Sequence, residues 1–278
     1  MADVMRGDGT PTPRELAHIY RRLVGARLRA DWQYRTSFFL YFASQFLVTV
    51  LDFAAIAVIF SQVSMLDGWS FAEVAFLFGT TGVAFTLADV FVSEVELASR
   101  HIKEGSFDQF LIRPLGPLFQ LCCQEFALRR AGRLLQTTAV LVIALFAVDV
   151  AWDPAKVVMV PVTILGGFAI FGALWVIASA MAFWTVDTQE VANSFTYGGN
   201  FITQYPLDVL SDLLRTLLVI IPLAFVNYVP ASWILDKPDA TGLPSWAAFC
   251  APVVAVITVL VARAVWRAAI RQYRSTGT

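Results

Sequence analysis

The chain has 278 residues, of which 58% are hydrophobic and only 15% are charged, and its mean hydropathy is +0.68. Soluble globular proteins average about 45–50% apolar and about 25% charged residues, so this composition excludes an ordinary soluble fold. A disordered chain is excluded as well, because it would need low hydrophobicity and high charge. The formal net charge of −1 shows no basic excess, so we expect no nucleic-acid partner.

Residues 1–36 form a polar N-terminal segment with seven arginines. Within it, Glu15–Arg35 has helical spacing, with apolar residues on one side and arginines between them. This pattern is typical of a basic amphipathic helix that lies on the anionic inner surface of a membrane. Docking of this helix against another subunit is a compatible alternative.

Six apolar segments follow, and each has most of the roughly 20 residues that a membrane-spanning helix needs. They are Ser37–Phe60, Phe71–Val92, Leu134–Val148, Val157–Trp184, Val209–Tyr228 and Trp246–Trp266. Aromatic residues lie near many of their ends, as expected for side chains that prefer the membrane–water interface. The sequence predicts an all-α polytopic membrane protein, with six transmembrane helices in a single domain over residues 1–278.

The basic residues are distributed unevenly around these predicted spans. With the N-terminus inside, 18 of the 20 lysines and arginines fall on the cytoplasmic side, Arg215 among them. Only Lys156 and Lys237 fall outside. Because positive charge favours the cytoplasmic side, both termini are predicted to be cytoplasmic.

Asp52 is the charged residue deepest inside the first predicted span. A carboxylate at that depth is costly unless it is paired or has a function. One interpretation places Asp52 in a transport pathway or a subunit interface, and the other makes it a structural hydrogen-bonding group. The sequence leaves both open. Arg215, at the predicted inner end of the fifth span, is interpreted as a local pair with Asp212.

Motifs for catalysis are missing from the sequence. None of the lysines, Lys103, Lys156 and Lys237, follows a glycine, so the chain has no P-loop and no ATPase site of that kind. The two histidines, His18 and His101, lie far apart without partners at metal-ligand spacing, and we expect neither a metal nor a cofactor. Transport against a gradient would therefore need a partner that supplies free energy.

Residues 93–117, between the second and third predicted spans, are more sequence than a connection between adjacent antiparallel helices usually needs. A charged helix is predicted to end near Gly105, and a mixed apolar and polar stretch continues to Pro114 and Pro117. A rigid charged elbow on the cytoplasmic face is suited to receive force from a motor domain. An ordinary loop between spans is the alternative.

Three stretches resemble ABC-2-type transporter permeases, in particular the six-span permeases of bacterial exporters. Ile102–Leu115 is similar to their segment I-[KR]-x-G-x-[LF]-D-x-x-L-[IL]-[RK]-P. Gln204–Leu207, followed by Arg215 and by Ile221–Ala231, looks like their fifth-span block. The ending Tyr273–Gly277 resembles their Y-x-S-x-G tail.

This resemblance implies one permease subunit of an ATP-binding-cassette exporter in the cytoplasmic membrane of a bacterium. Its partners would be a second permease copy or paralogue, separate P-loop ATPase subunits and the lipid bilayer. The segment Ser93–Ile112 would hold the coupling helix that docks on the ATPase, with Ile102, Glu104, Gly105, Asp108 and Arg113 as the matching residues. The block Tyr205–Ala231 would shape the fifth span at the pathway or subunit interface, with Tyr205, Pro206, Arg215 and Pro222 as its residues.

The scarcity of charge in the predicted spans and the short outer loops favour an amphipathic or lipid-soluble cargo. Two rival hypotheses remain open at the level of sequence. A proton-driven secondary transporter with Asp52 as the carrier predicts transport by this chain alone. A non-transport membrane scaffold predicts no dependence on ATP hydrolysis.

Overall fold

The computed structural model describes residues 22, 25, 35–113, 115–123, 130–185 and 189–273, with side chains for all of these except 189–192. In this part of the chain the regular structure is helical, and Leu66 and Trp69 form one isolated bridge. The helices are α1 (Arg35–Gln62), α2 (Phe71–Phe91), α3 (Leu97–Lys103), α4 (Asp108–Leu111), α5 (Pro117–Cys122), α6 (Ala131–Ala147), α7 (Pro154–Ala180), α8 (Gln189–Thr203), α9 (Asp212–Ile220), α10 (Tyr228–Ile234) and α11 (Ala251–Gln272). The predicted all-α class is confirmed.

Four helical stretches in the described residues are long and apolar enough to cross a membrane. They are Arg35–Gln62, Phe71–Phe91, Pro154–Phe183 and Ser245–Gln272, and α6 is a shorter apolar helix of 17 residues. These helices coincide with five of the six segments that the hydropathy pattern indicates. The expected surface helix Glu15–Arg35 lies outside the described residues, apart from Arg22, Gly25 and Arg35.

Helix α2 is the centre of the bundle, and every residue from Val74 to Thr86 is buried. It packs against α6, α7 and α8, and α7 packs in turn against α11. Before α2, Asp67 and Gly68 both have positive φ and turn the chain between Leu66 and Trp69. Ser70 and Glu73 then form a capping box that satisfies the first N–H groups of α2.

Helix α1 packs mainly on α6 and buries only Thr49 and Ile56. Its remaining surface is apolar and exposed, and it includes Leu40, Leu47 and Val58. Such a surface is suited to lipid or to another membrane helix, because both can cover it without water.

The predicted span Val209–Tyr228 is wrong as a single helix. Helix α9 ends at Ile220, and Pro222 follows, which has no N–H to donate to a helical carbonyl. A short 3₁₀ turn, Leu223–Val226, separates α9 from α10. The longer helix of this region is α8. The hydropathy pattern missed it because its 15 residues include two asparagines, two threonines, a glutamine, a glutamate, a serine and two glycines.

Close contact between α2 and α6 depends on small residues. A Cβ atom added at Gly79 would lie 2.7 Å from Cα of Leu141, so the two backbones would have to separate. We expect Gly79→Ala to lower the free energy of unfolding by about 1–2 kcal/mol, as overpacking does. Gly198→Ala in α8 is the matched control, since a Cβ there meets nothing within 4 Å. Thermal unfolding in detergent measures both, and equal melting temperatures would contradict this packing.

Candidate functional site

Gly105 turns the chain between α3 and α4 and so forms the elbow, defined here as residues Ser93–Arg113. Its φ is +70°, a left-handed conformation that favours glycine. The N–H of Gly105 donates to the Ile102 carbonyl at 3.3 Å, and the N–H of Phe107 donates to the His101 carbonyl at 3.1 Å. Glycine at position 105 therefore permits this turn.

Phe107 anchors the elbow to the helix bundle. Its side chain is completely buried, and its ring centroid lies 5.2 Å from that of Phe183 and 5.0 Å from that of Tyr273. Phe183, just after α7, contacts Trp266 of α11 at 5.6 Å. Because these rings interlock, the elbow is connected rigidly to the ends of α7 and α11.

Gln120 of α5 holds the far side of the elbow. Its Nε2 donates to the carbonyls of Phe110 at 2.8 Å and Leu115 at 2.6 Å. The chain leaving α4 is thus fixed by hydrogen bonds as well as by apolar packing.

The five residues expected to couple to an ATPase divide into two groups. Glu104 and Arg113 are exposed and present charge at the surface of the elbow. Ile102 is half-buried against the bundle, and Asp108 is half-buried near the Tyr273 hydroxyl. Burial, together with the Asp108 carboxylate, raises the pKa of Tyr273 to about 12. Ile102, Gly105 and Asp108 therefore build the elbow.

Glu104 and its neighbours form an exposed mixed surface. Arg100 Nε donates to Glu104 Oε1 at 2.8 Å, and this hydrogen bond lowers the pKa of Glu104. Ile112 is 83% exposed on the same elbow. The sequence pattern contained Ile112, but only its exposure singles it out as a contact residue.

A cluster of charges joins the base of the elbow to the bundle. Asp89, at the end of α2, is 3% exposed and accepts a hydrogen bond from Arg130 Nη1 at 2.8 Å. The same Arg130 Nη1 donates to the Asp89 carbonyl and to Ser93 Oγ, at the start of the elbow. Arg133 Nη1 lies 3.7 Å from the other Asp89 oxygen. This cluster, Asp89–Ser93–Arg130–Arg133, ties α2, the elbow and α6 together.

The elbow is also bonded to α7. The Glu96 carboxylate accepts a hydrogen bond from Trp175 Nε1, and Trp175 is completely buried. Burial raises the pKa of Glu96. Displacement of the elbow would therefore act on α2, α6 and α7 at once.

Arg215 lies at the opposite end of the bundle from the elbow, which corrects its predicted position. Its Nη2 donates to the Asp208 carbonyl at 2.7 Å, and Asp208 Oδ2 accepts from Trp69 Nε1 at 2.8 Å. Trp69 precedes α2 and the elbow follows it, so a helix of 21 residues, about 30 Å long, separates them. The expected pair with Asp212 is present at 3.2 Å. The prediction did not include α8, whose last residue Thr203 accepts a hydrogen bond from Thr81 in the middle of α2, or the residues after it, which continue to Trp69.

Helices α9 and α10 form a hairpin that reaches the middle of α2. At its tip Asn227 is completely buried, and its Nδ2 donates to the Leu77 carbonyl and to Thr81 Oγ1, both at 2.9 Å. Its Oδ1 accepts from Thr80 Oγ1 at 2.8 Å. The hydroxyl of Tyr228, the first residue of α10, donates to Asp208 Oδ2 at 2.8 Å.

Tyr205, Pro206 and Pro222 lie where this part of the chain changes direction. Tyr205 is half-buried and its ring lies 5.5 Å from that of Phe201, while the buried Pro206 begins the turn after α8. Pro222 follows the last turn of α9. Tyr205 and Pro206 therefore mark the bend before the hairpin, and Pro222 marks the bend within it.

Asp52 lies on the exposed side of α1 and is itself exposed. Arg133 and Tyr205 are near enough to interact with its carboxylate electrostatically. The structure thus places Asp52 near Tyr205 and near Arg133, which belongs to the charged cluster at the base of the elbow.

A bundle of long apolar helices, with a charged elbow bonded into one end, is the architecture of a polytopic membrane domain. The chain matches the model of the ABC-2 family transporter proteins over residues 46–277 and belongs to that family. It is therefore a multi-pass membrane protein and a transmembrane permease of an ABC transporter. No curated protein and no solved structure matches the chain.

Proposed function

We propose that this permease crosses the membrane six times, through α1, α2, α6, α7, α8 and α11. The α9–α10 hairpin then enters from the outer side and returns without crossing. In this topology Arg215 is counted on the outer side instead of the inner side. The count is then 17 basic residues inside and 3 outside. The division still favours cytoplasmic termini and a cytoplasmic elbow.

The elbow is the docking site for a separate P-loop ATPase subunit, and its construction is the observation that carries this proposal. Exposed Glu104, Ile112 and Arg113 project from a segment whose Phe107 is completely buried. A contact surface with a rigid buried anchor transmits displacement, whereas a loosely attached loop absorbs it.

A second permease subunit covers the exposed face of α1 in the assembled exporter, and the two subunits enclose the pathway. Asp52 and Tyr205 would then lie at or near the pathway rather than in lipid. This arrangement resolves the cost of an exposed carboxylate at membrane depth. The small number of charges on the exposed helix faces suits an amphipathic cargo moved outward.

Recovery of the ATPase with variants of the elbow tests this function. Ile112→Asp places a charge at the centre of the docking surface, and we expect at least roughly tenfold less ATPase to copurify with the permease, as for an interface hot spot. Met65→Asp is the matched control, because Met65 is 55% exposed at the opposite end of the bundle. Equal recovery with both variants would contradict the docking site.

The proton-driven alternative is separated from this proposal by Asp52→Asn. A secondary transporter would move cargo without any ATPase and would lose transport when Asp52 can no longer ionise. The proposed exporter would show no transport in vesicles that contain the permease alone.

A further inference from the structure

Helix α11 carries three arginines on one face near its C-terminal end. Arg263, Arg267 and Arg271 are spaced four residues apart, so they lie one above the next with about 6 Å between steps along the axis. All three side chains are exposed. Within the described residues, none of the three has an ion pair or a hydrogen bond to another side chain.

The arginine face continues into an apolar face of the same helix. Val256 is 59% exposed and Leu260 is 57% exposed, and their spacing to Arg263 and Arg267 follows a single helical stripe. A surface that is apolar for one stretch and basic for the next is complementary to a molecule with a hydrocarbon chain and an anionic head. Guanidinium groups match phosphate oxygens, since they can donate two parallel hydrogen bonds.

The opposite face of α11 contacts the elbow region. Ala262, Trp266 and Ala269 are buried there, Trp266 contacts Phe183, and Tyr273 contacts Phe107. The arginines therefore lie at the elbow end of the bundle, where the proposed topology, on which this step rests, places the cytoplasmic leaflet of the membrane.

We propose that α11 binds an anionic phospholipid of the cytoplasmic leaflet at this face. The headgroup phosphate contacts Arg263 and Arg267, with Arg271 as a further cation, and an acyl chain lies along Leu260 and Val256. The occupant stabilises the helix whose other face supports the elbow.

Lipid retention by the intact, purified permease tests this site without any ATPase. The permease is equilibrated in mixed micelles with phosphatidylglycerol or with phosphatidylcholine of the same chains, and bound lipid is counted by native mass spectrometry. Each arginine near an anionic surface strengthens binding roughly fivefold. We therefore expect Arg267→Gln to weaken phosphatidylglycerol binding roughly fivefold and the triple glutamine variant to weaken it on the order of a hundredfold.

Arg100→Gln is the control, because it removes an exposed arginine from the elbow instead of from α11. It should leave phosphatidylglycerol retention unchanged. If the triple variant does not fold, the single variant and the loss of binding at high salt provide the same comparison. Equal retention of both lipids, or unchanged binding in Arg267→Gln, would overturn the proposal.

If the arginines instead bind an acidic surface of the ATPase, the triple variant would lose ATPase recovery and keep its phosphatidylglycerol, which also overturns the lipid site. Failure of this site and failure of the proposed function are separable. The lipid measurement uses α11 variants and no partner, whereas ATPase docking is measured at Ile112.

Discussion

Replacing Arg130 by methionine is expected to lower the free energy of unfolding by about 3–5 kcal/mol, because it leaves a buried charge without its partner. Methionine keeps much of the side-chain volume but leaves Asp89 buried with only the more distant Arg133 nearby. It also removes the hydrogen bonds to the Asp89 carbonyl and to Ser93. Thermal and denaturant unfolding of the purified permease in detergent would measure the loss.

Two comparisons make the Arg130 prediction specific. Arg100→Met removes an arginine from an exposed ion pair with Glu104, and we expect no measurable change in melting temperature. Combining Arg130→Met with Asp89→Asn should recover part of the stability, because the double variant no longer buries the Asp89 charge without its main partner. If the Arg130→Met variant has the same melting temperature as the wild type, the buried cluster does not join the elbow to the bundle.

Replacing Asn227 by leucine is expected to cost about 2–4 kcal/mol. The three hydrogen bonds of its amide are buried, and interhelical hydrogen bonds within membranes contribute roughly 0.6–1.7 kcal/mol each. The tip of the α9–α10 hairpin would no longer be fixed to the middle of α2. Unfolding in detergent measures the loss of stability.

A double-mutant cycle separates the Asn227 hydrogen bonds from simple packing. Thr81→Val removes one partner of the Asn227 amide, so the effects of Thr81→Val and Asn227→Leu should not add. Additive effects would mean that the hairpin tip is held by shape alone.

Much of the bundle follows from hydropathy, because helices such as α2 and α7 are nearly all apolar over more than 20 residues. The hairpin could not be predicted from hydropathy, because α9 and α10 together with their turn have the length and hydropathy of one span. Pro222 and Asn227 were the signals for the break: one removes a backbone donor, and the other is a polar side chain in an apolar run. Helix α8 was missed for the opposite reason, because its polar residues lower its hydropathy below that of a span.

The elbow could be located from its sequence, whereas the parts played by its residues could not. Gly105 was expected at a helix end, and the left-handed φ gives the reason. The anchor, however, depends on Phe107 meeting Phe183 and Tyr273, which lie 76 and 166 positions away in the chain. Contacts over such separations have no signature in a single sequence. The side of the membrane assigned to Arg215 was equally hard to predict, because it depends on whether α8 is treated as a membrane span.

Site-specific photocrosslinking tests whether a separate ATPase docks on this elbow. A photoreactive amino acid is placed at position 112 in one variant and at position 65 in another, and both are activated in membranes that contain the complete transporter. We expect an adduct between position 112 and a P-loop ATPase, and none from position 65. An ATPase adduct from both positions in equal amount, or from neither, would contradict docking on the elbow.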